Sequence, residues 1–260
     1  MFVTIAATLG LLVGSFLNVV IYRVPRGESV VSPASHCPSC GRPIRNRHNV
    51  PVVSWLLLRA RCADCRAPIS VRYPAVELGT GVAFALLTWW SAAHDQLAVA
   101  PAWCYLAAVG IALALIDIDT HRLPNVIVLP SYPVLAALFI VAALVDGHPG
   151  NLVRAAIGMA ALAAFFLLVV LVYPKGMGWG DLKLAGLLGM AMGYVSWGSL
   201  VIGSFAGFVL GAIVGIVVIA SGRGTRKTAV PFGPFMILGA FVGLLFGDAV
   251  AAWYLRILGG

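Results

Sequence analysis

Residues 173–189 read YPKGMGWGDLKLAGLLG, and their reading decides the fold. Three glycines, Gly176, Gly178 and Gly180, lead into a carboxylate, Asp181, with Lys183 two residues further on. The sequence on either side is apolar for the length of a membrane span. An acidic residue beside such a span is costly and is a functional candidate by default. The stretch therefore raises two expectations together: a helical membrane bundle, and a carboxylate set against irregular backbone at its edge.

The composition supports the first expectation. Of 260 residues 61% are hydrophobic and 10% charged, with a mean hydropathy of +1.00. No soluble domain of ordinary composition looks like this. Eight apolar segments, each near the roughly 20 residues that a bilayer core requires, fall at about 2–22, 74–92, 101–119, 126–145, 152–173, 182–197, 199–220 and 232–255. The first lacks a basic start and an obvious cleavage site, so it reads as a retained span rather than a signal peptide. The expected fold is an all-α polytopic membrane protein of about eight transmembrane helices, in contact with lipid, with a small loop module. The expected divisions are a first helix at 1–22, a loop at 23–73 and membrane helices over 74–260.

The charge sets an orientation. The net charge is +8, and 15 of the 17 Lys and Arg lie in or within two residues of 23–73, 120–125, 174–181 and 221–231. With the N-terminus outside, all four segments are cytoplasmic, as the positive-inside bias demands. The basic surplus then needs no nucleic-acid partner.

The loop at 23–73 is the one place for a folded soluble module. Cys37 and Cys40 form one Cys-x-x-Cys pair and Cys62 and Cys65 another, 21 residues apart. CPSCGRPI and CADCRAPI repeat each other. Two such knuckles make a tetrahedral four-sulfur site suited to zinc; two disulfides are the alternative, which a reducing cytoplasm disfavours. Such a zinc has no open position and holds a loop together without doing chemistry. Cys104, inside a span, reads as a small packing residue, and His36 and His48 as solvated.

Of the carboxylates, Glu77, Asp95, Asp146 and Asp248 sit near span ends or in outer loops. Asp117 and Asp119 lie at the inner end of the third segment, in LALIDIDTHRLPN, and Asp181 at the inner start of the sixth. The topology puts all three at one depth. Residues two apart on a helix point about 200° apart, so one of the first pair faces Asp181. Asp117 continues the small residues Gly110 and Ala114, which mark close helix contact, and is the one expected to face the bundle. The glycines break the helix and let backbone approach an extended peptide. Two aspartates sharing one proton can activate water and protonate a leaving group. Alternatively GMGWG is only a turn, and Asp181 pairs with Lys183 or Lys175.

Taken in order, GSFLNVVIYRVP, the paired Cys-x-x-Cys loop, ISVRYPAVELGTG, IDIDTHRLPN and GMGWGDLKL resemble the bacterial prepilin peptidases, the type IV leader peptidases. The last also resembles the Gly-x-Gly-Asp signature of the wider intramembrane aspartyl proteases. The resemblance implies cleavage of a short basic leader from prepilins and pseudopilins, after a glycine, at the cytoplasmic face of the inner membrane. It also implies methylation of the new N-terminus with S-adenosylmethionine. It makes Asp117 and Asp181 the catalytic pair, with Gly178, Gly180 and Lys183 in support. It implies substrates from type IV pilus assembly, type II secretion or competence, without separating the three. Asn125 stands where the family more often has Asp. Ala60-Arg61 stands where it commonly has glycine and a basic residue tied to methylation, which leaves Arg61 as the candidate contact for methyl donor or substrate. No dinucleotide-type glycine fingerprint is present. A peptidase without methyltransferase activity and a non-enzymatic proton-coupled carrier or assembly scaffold remain as alternatives.

Overall fold

The structure, a computed structural model, describes residues 1–173, 177–222 and 230–259. The glycine Gly176 and the alternative ion-pair partner Lys175 lie outside them. The described residues form the helices α1 (Phe2–Arg23), α2 (Val53–Leu57), α3 (Arg72–Ala93), α4 (Ala100–Thr120), α5 (Asn125–Val145), α6 (Gly150–Val172), α7 (Trp179–Val195), α8 (Trp197–Ala220) and α9 (Gly233–Gly259). All eight apolar segments thus fold as long helices. Among the described residues six are long and apolar enough to cross a membrane. The two others are α7, only 17 residues long, and α3, which carries Arg72, Glu77, two threonines and a serine. The chain divides into two compact units, residues 1–112 and 113–260, and α4 runs through the boundary.

In the first unit α1 and α3 pack antiparallel along a seam of small residues. A β-carbon on Gly10 would lie 2.8 Å from the Gly81 Cα, and one on Gly14 2.7 Å from the Glu77 Cα. One turn further, Asn18 donates to the Tyr73 carbonyl at 3.2 Å. With no hydrophobic drive between helices in lipid, such close approach supplies the packing.

The loop between α1 and α3 is two copies of one knuckle. Cys37 N–H donates to Arg42 O, Gly41 N–H to Cys37 O, and Ile44 N–H to Ser35 O. Shifted along the chain, Cys62 N–H donates to Ala67 O, Arg66 N–H to Cys62 O, and Ile69 N–H to Ala60 O. Single antiparallel bridges, His36 with Pro43 and Arg61 with Pro68, close the two. Asp64 of the second knuckle pairs with Arg42 and Arg45 of the first at 3.2 and 3.4 Å. Helix α2 docks on the second knuckle through the Trp55 indole, which donates to Ile69 O at 3.2 Å.

In the second unit α7 is the central helix, buried from Leu184 to Tyr194. Its glycines admit its neighbours: a β-carbon on Gly193 would lie 2.7 Å from Arg154 O, and one on Gly158 of α6 2.6 Å from Gly189 O. The helix ends at Ser196, whose extended backbone and hydroxyl, accepting from Ser199 N–H at 2.8 Å, start α8 at once. Arg154 of α6 closes that end of α7, donating to the carbonyls of Gly193 and Tyr194 at 2.7 Å each and to Val195. These are carbonyls a helix end leaves without partners.

Candidate active site

Asp117 lies in the last turn of α4 and is buried, 5% exposed. Asp119, two residues on, is exposed. The helix stops at Thr120 because His121 takes a left-handed backbone (φ 53°) and Pro124 follows, a stop of the usual kind. One Asp117 oxygen, Oδ2, accepts from the Gly233 backbone N–H at 3.0 Å. Gly233 opens α9, so this N–H is one of the donors that a helix N-terminus leaves unpaired, at its positive end.

Asp181 is placed by the same device. The sixth helix begins at Trp179 rather than near 182, with Gly178 extended ahead of it (φ −84°, ψ 154°). Asp181 is then the third helical residue, and its Oδ2 reaches back to accept from Gly178 N–H at 3.0 Å. This is half of a capping box. Of the three glycines expected to break the helix, Gly178 precedes α7 and Gly180 lies within its first turn.

Leu123 joins the two halves. A β-carbon on Gly180 would meet the Leu123 Cβ at 3.0 Å, and one on Gly233 would meet Leu123 Cδ2 at 3.3 Å and Asp117 Oδ2 at 2.8 Å. One side chain thus touches both the residue before Asp181 and the residue that holds Asp117. Three contacts from the α4–α5 region fix the start of α7: Leu123 on Gly180, Lys183 Nζ donating to Asn125 Oδ1 at 2.9 Å, and Tyr132 donating to Lys183 O at 2.6 Å. Lys183 therefore engages Asn125, and no ion pair to Asp181 is present among the described residues.

The sequence reading missed Gly233. PFGPFM looks like an ordinary proline-marked helix start, and nothing in it announces that its amide reaches a residue 116 positions earlier. Glu77, set aside in the sequence with the carboxylates near span ends, is covered. It is 8% exposed and accepts from Val52 N–H at 2.7 Å.

In the first unit the sulfurs of Cys37, Cys40, Cys62 and Cys65 lie within 4.8 Å of one another. No cysteine is in a disulfide. Cys37 and Cys65 are 3.8 Å apart, close to the roughly 3.8 Å edge of a tetrahedron with metal–sulfur bonds of about 2.3 Å. The four can hold a metal. The amides of Cys40 and Ser39 bring the Cys37 thiol down to about 6. Cys65 is pushed up to about 11: the Ala67 amide works to lower it, but burial and the other three thiols outweigh that. Arg61, just before Cys62, is exposed, and Ala60 beside it has a left-handed backbone (φ 57°).

Residues 8–91 match the model of the Bacterial Peptidase A24 N-terminal domain, and residues 104–216 that of the Type IV leader peptidase family. A prepilin leader peptidase/N-methyltransferase of Pseudomonas putida is 37% identical, covering 99% of this chain and 95% of the relative. The chain belongs to the type IV leader peptidase family. Proteins of the same description from Pseudomonas aeruginosa (35% identical, 99% and 95% covered) and Neisseria gonorrhoeae (37%, 95% and 92%) agree. No solved structure is a significant match. Both aspartates and all four cysteines fall inside the two matched stretches, whereas Gly233 lies beyond them.

Proposed function

We propose that this chain is a multi-pass inner-membrane endopeptidase that removes the leader of prepilins or pseudopilins with Asp117 and Asp181 and then methylates the new N-terminus. The observation that carries the reading is the convergence of two carboxylates, each with one oxygen held by a glycine amide at a helix start, around one leucine. Pinning Oδ2 of each leaves both Oδ1 atoms for water and substrate. The ionised carboxylate takes a proton from water as its oxygen attacks the scissile carbonyl. The protonated partner gives its proton to the carbonyl oxygen, and a proton then passes to the departing amine as the C–N bond breaks. Gly178 and Gly180 keep the approach narrow and backbone-lined, and Lys183 with Asn125 steadies it.

The topology that supports this reading has the N-terminus outside and the dyad and four-cysteine loop in the cytoplasm, from the bias of Lys and Arg. Zinc suits the four thiolates and would tie the two knuckles together, as a closed structural site. S-adenosylmethionine would supply the methyl group. Arg61 supplies a cation beside the second knuckle that suits a carboxylate of that donor or of the substrate.

The test is incubation of the detergent-solubilised chain with a prepilin, with and without S-adenosylmethionine, read by mass. Loss of the leader followed by gain of one methyl supports the full reading. Loss of the leader alone leaves the peptidase. An uncut substrate contradicts both and favours a proton-coupled carrier. In Arg61→Ala cleavage survives and methyl transfer falls.

A further inference from the structure

Helix α2 is built inside out. Its one small polar residue, Ser54, is buried, 7% exposed. The Ser54 hydroxyl accepts from Val50 N–H at 3.0 Å and donates to Arg47 O at 3.3 Å. Its large apolar residues point the other way: Val53, Leu56 and Leu57 are 50, 61 and 78% exposed. These lie at i, i+3 and i+4 and so share one face. Apolar residues gathered on the exposed side of a loop helix call for a partner.

The depth of α2 identifies that partner. Val52, immediately before the helix, is held at φ 61° and ψ −50°, a conformation a β-branched residue adopts only under constraint. The constraint is its N–H bond to the buried Glu77. Glu77 is five residues into α3, roughly 7–8 Å along its axis, and packs against Gly14 of α1. Helix α1 is a span, long and apolar, and its apolar stretch runs to Tyr22, with its first charge at Arg23. Allowing for the reach of the glutamate side chain back toward the surface, the start of α2 is tied within about two turns of the point where α1 emerges. That is the headgroup zone. Arg47 and Arg59 flank α2, are exposed, and take no part in the ion pairs of the loop.

We propose that α2 is a foot of the loop on the bilayer. Val53, Leu56 and Leu57 enter the boundary between headgroups and acyl chains, and Arg47 and Arg59 hold anionic headgroups. Exposed apolar side chains with cations on either side in the chain, at interfacial depth, have the pattern of a membrane-surface helix. Three side chains fall well short of the about 1,000 Å² that a specific protein interface buries, which disfavours a pilin segment or a second copy as the occupant. The foot would hold the knuckles at the membrane surface, where Glu77 already ties them. The proposal rests on α1 as a span and is independent of the chemistry of the dyad.

The test uses the full chain reconstituted in nanodiscs containing phosphatidylglycerol, with p-benzoylphenylalanine in place of Leu57. A second protein carries it in place of Val31, which is 87% exposed but precedes both knuckles. Both are first shown to elute and melt as the unsubstituted chain does. On irradiation, mass analysis is expected to find lipid adducts at position 57 and not at position 31. The yield at 57 falls more than about threefold when the lipid is wholly zwitterionic. Adducts only to protein, whether a second copy or an added prepilin, overturn the proposal. So do a complete lack of adducts at 57 and equal lipid labelling at both positions.

Discussion

A methyl group added at Gly233 tests the site where it is most tightly drawn. The alanine β-carbon would lie 2.8 Å from Asp117 Oδ2 and 3.3 Å from Leu123 Cδ2. Non-bonded carbon and oxygen prefer about 3.3 Å or more, so the carboxylate or the 232–234 backbone must move by roughly half an ångström. The bond from Gly233 N–H to that oxygen, 3.0 Å long, is then lengthened or lost. A hydrogen bond to a charged group contributes about 1.5–3 kcal/mol, which corresponds to roughly 10- to 150-fold in rate if it is fully lost in the transition state. Displacement of a catalytic group by part of an ångström acts in the same direction. Gly233→Ala should therefore lower kcat for leader cleavage by about one to two orders of magnitude, with KM within about twofold, because the methyl meets the carboxylate proposed to do the chemistry. Gly79→Ala serves as a control, since a β-carbon at that position meets nothing within 4 Å. Steady-state cleavage of a purified prepilin in detergent, at several substrate concentrations, gives both constants. A Gly233→Ala protein that melts normally and cleaves within about threefold of the parent kcat would refute the role assigned to the α9 amide.

Other outcomes follow from the same contacts. Arg154→Met removes donors to three carbonyls at the end of α7 and should destabilise the protein by roughly 2–4 kcal/mol, read as a lower midpoint of thermal unfolding in detergent; an unchanged midpoint would deny the cap. Zinc binding should tighten with pH, because the Cys65 proton, held up to about 11, must leave when a metal binds. Each displaced proton contributes about tenfold in affinity per pH unit, measured by competition with a chelator at two pH values around neutrality, and a flat profile would count against thiolate ligation. Arg66→Gly relieves a left-handed residue (φ 63°) at the place where the first knuckle has Gly41 (φ 70°). It should stabilise the loop by about 1 kcal/mol, visible as slower amide exchange in residues 60–69.

Much of this molecule was legible because membranes restrict what a chain can do. Runs of apolar residues the length of a bilayer located every long helix, and the two Cys-x-x-Cys repeats located the knuckles. Asp117 and Asp181 stood out because a carboxylate at the end of an apolar span is costly and therefore rare. What escaped notice was carried by backbone. Gly233 contributes only an N–H, and an N–H has no signature in a sequence. Glu77 seemed an ordinary span-end acid, yet the loop folds back and covers it, which no local pattern discloses. The start of α7 was set a turn late because glycines suggest broken helix, whereas Asp181 at the third position caps Gly178 and draws Gly180 into the helical turn.

The central claim is that one pair, the buried Asp117 and the half-buried Asp181, does the cutting. It is tested most directly by cleavage of a prepilin by Asp117→Asn, Asp181→Asn and Asp119→Asn proteins of matched thermal stability. The amide keeps the shape of the carboxylate but cannot share its proton. The account predicts no detectable leader loss for the first two and most of the parent activity for the third, whose side chain is exposed. An active Asp117→Asn protein beside an inactive Asp119→Asn protein would contradict it.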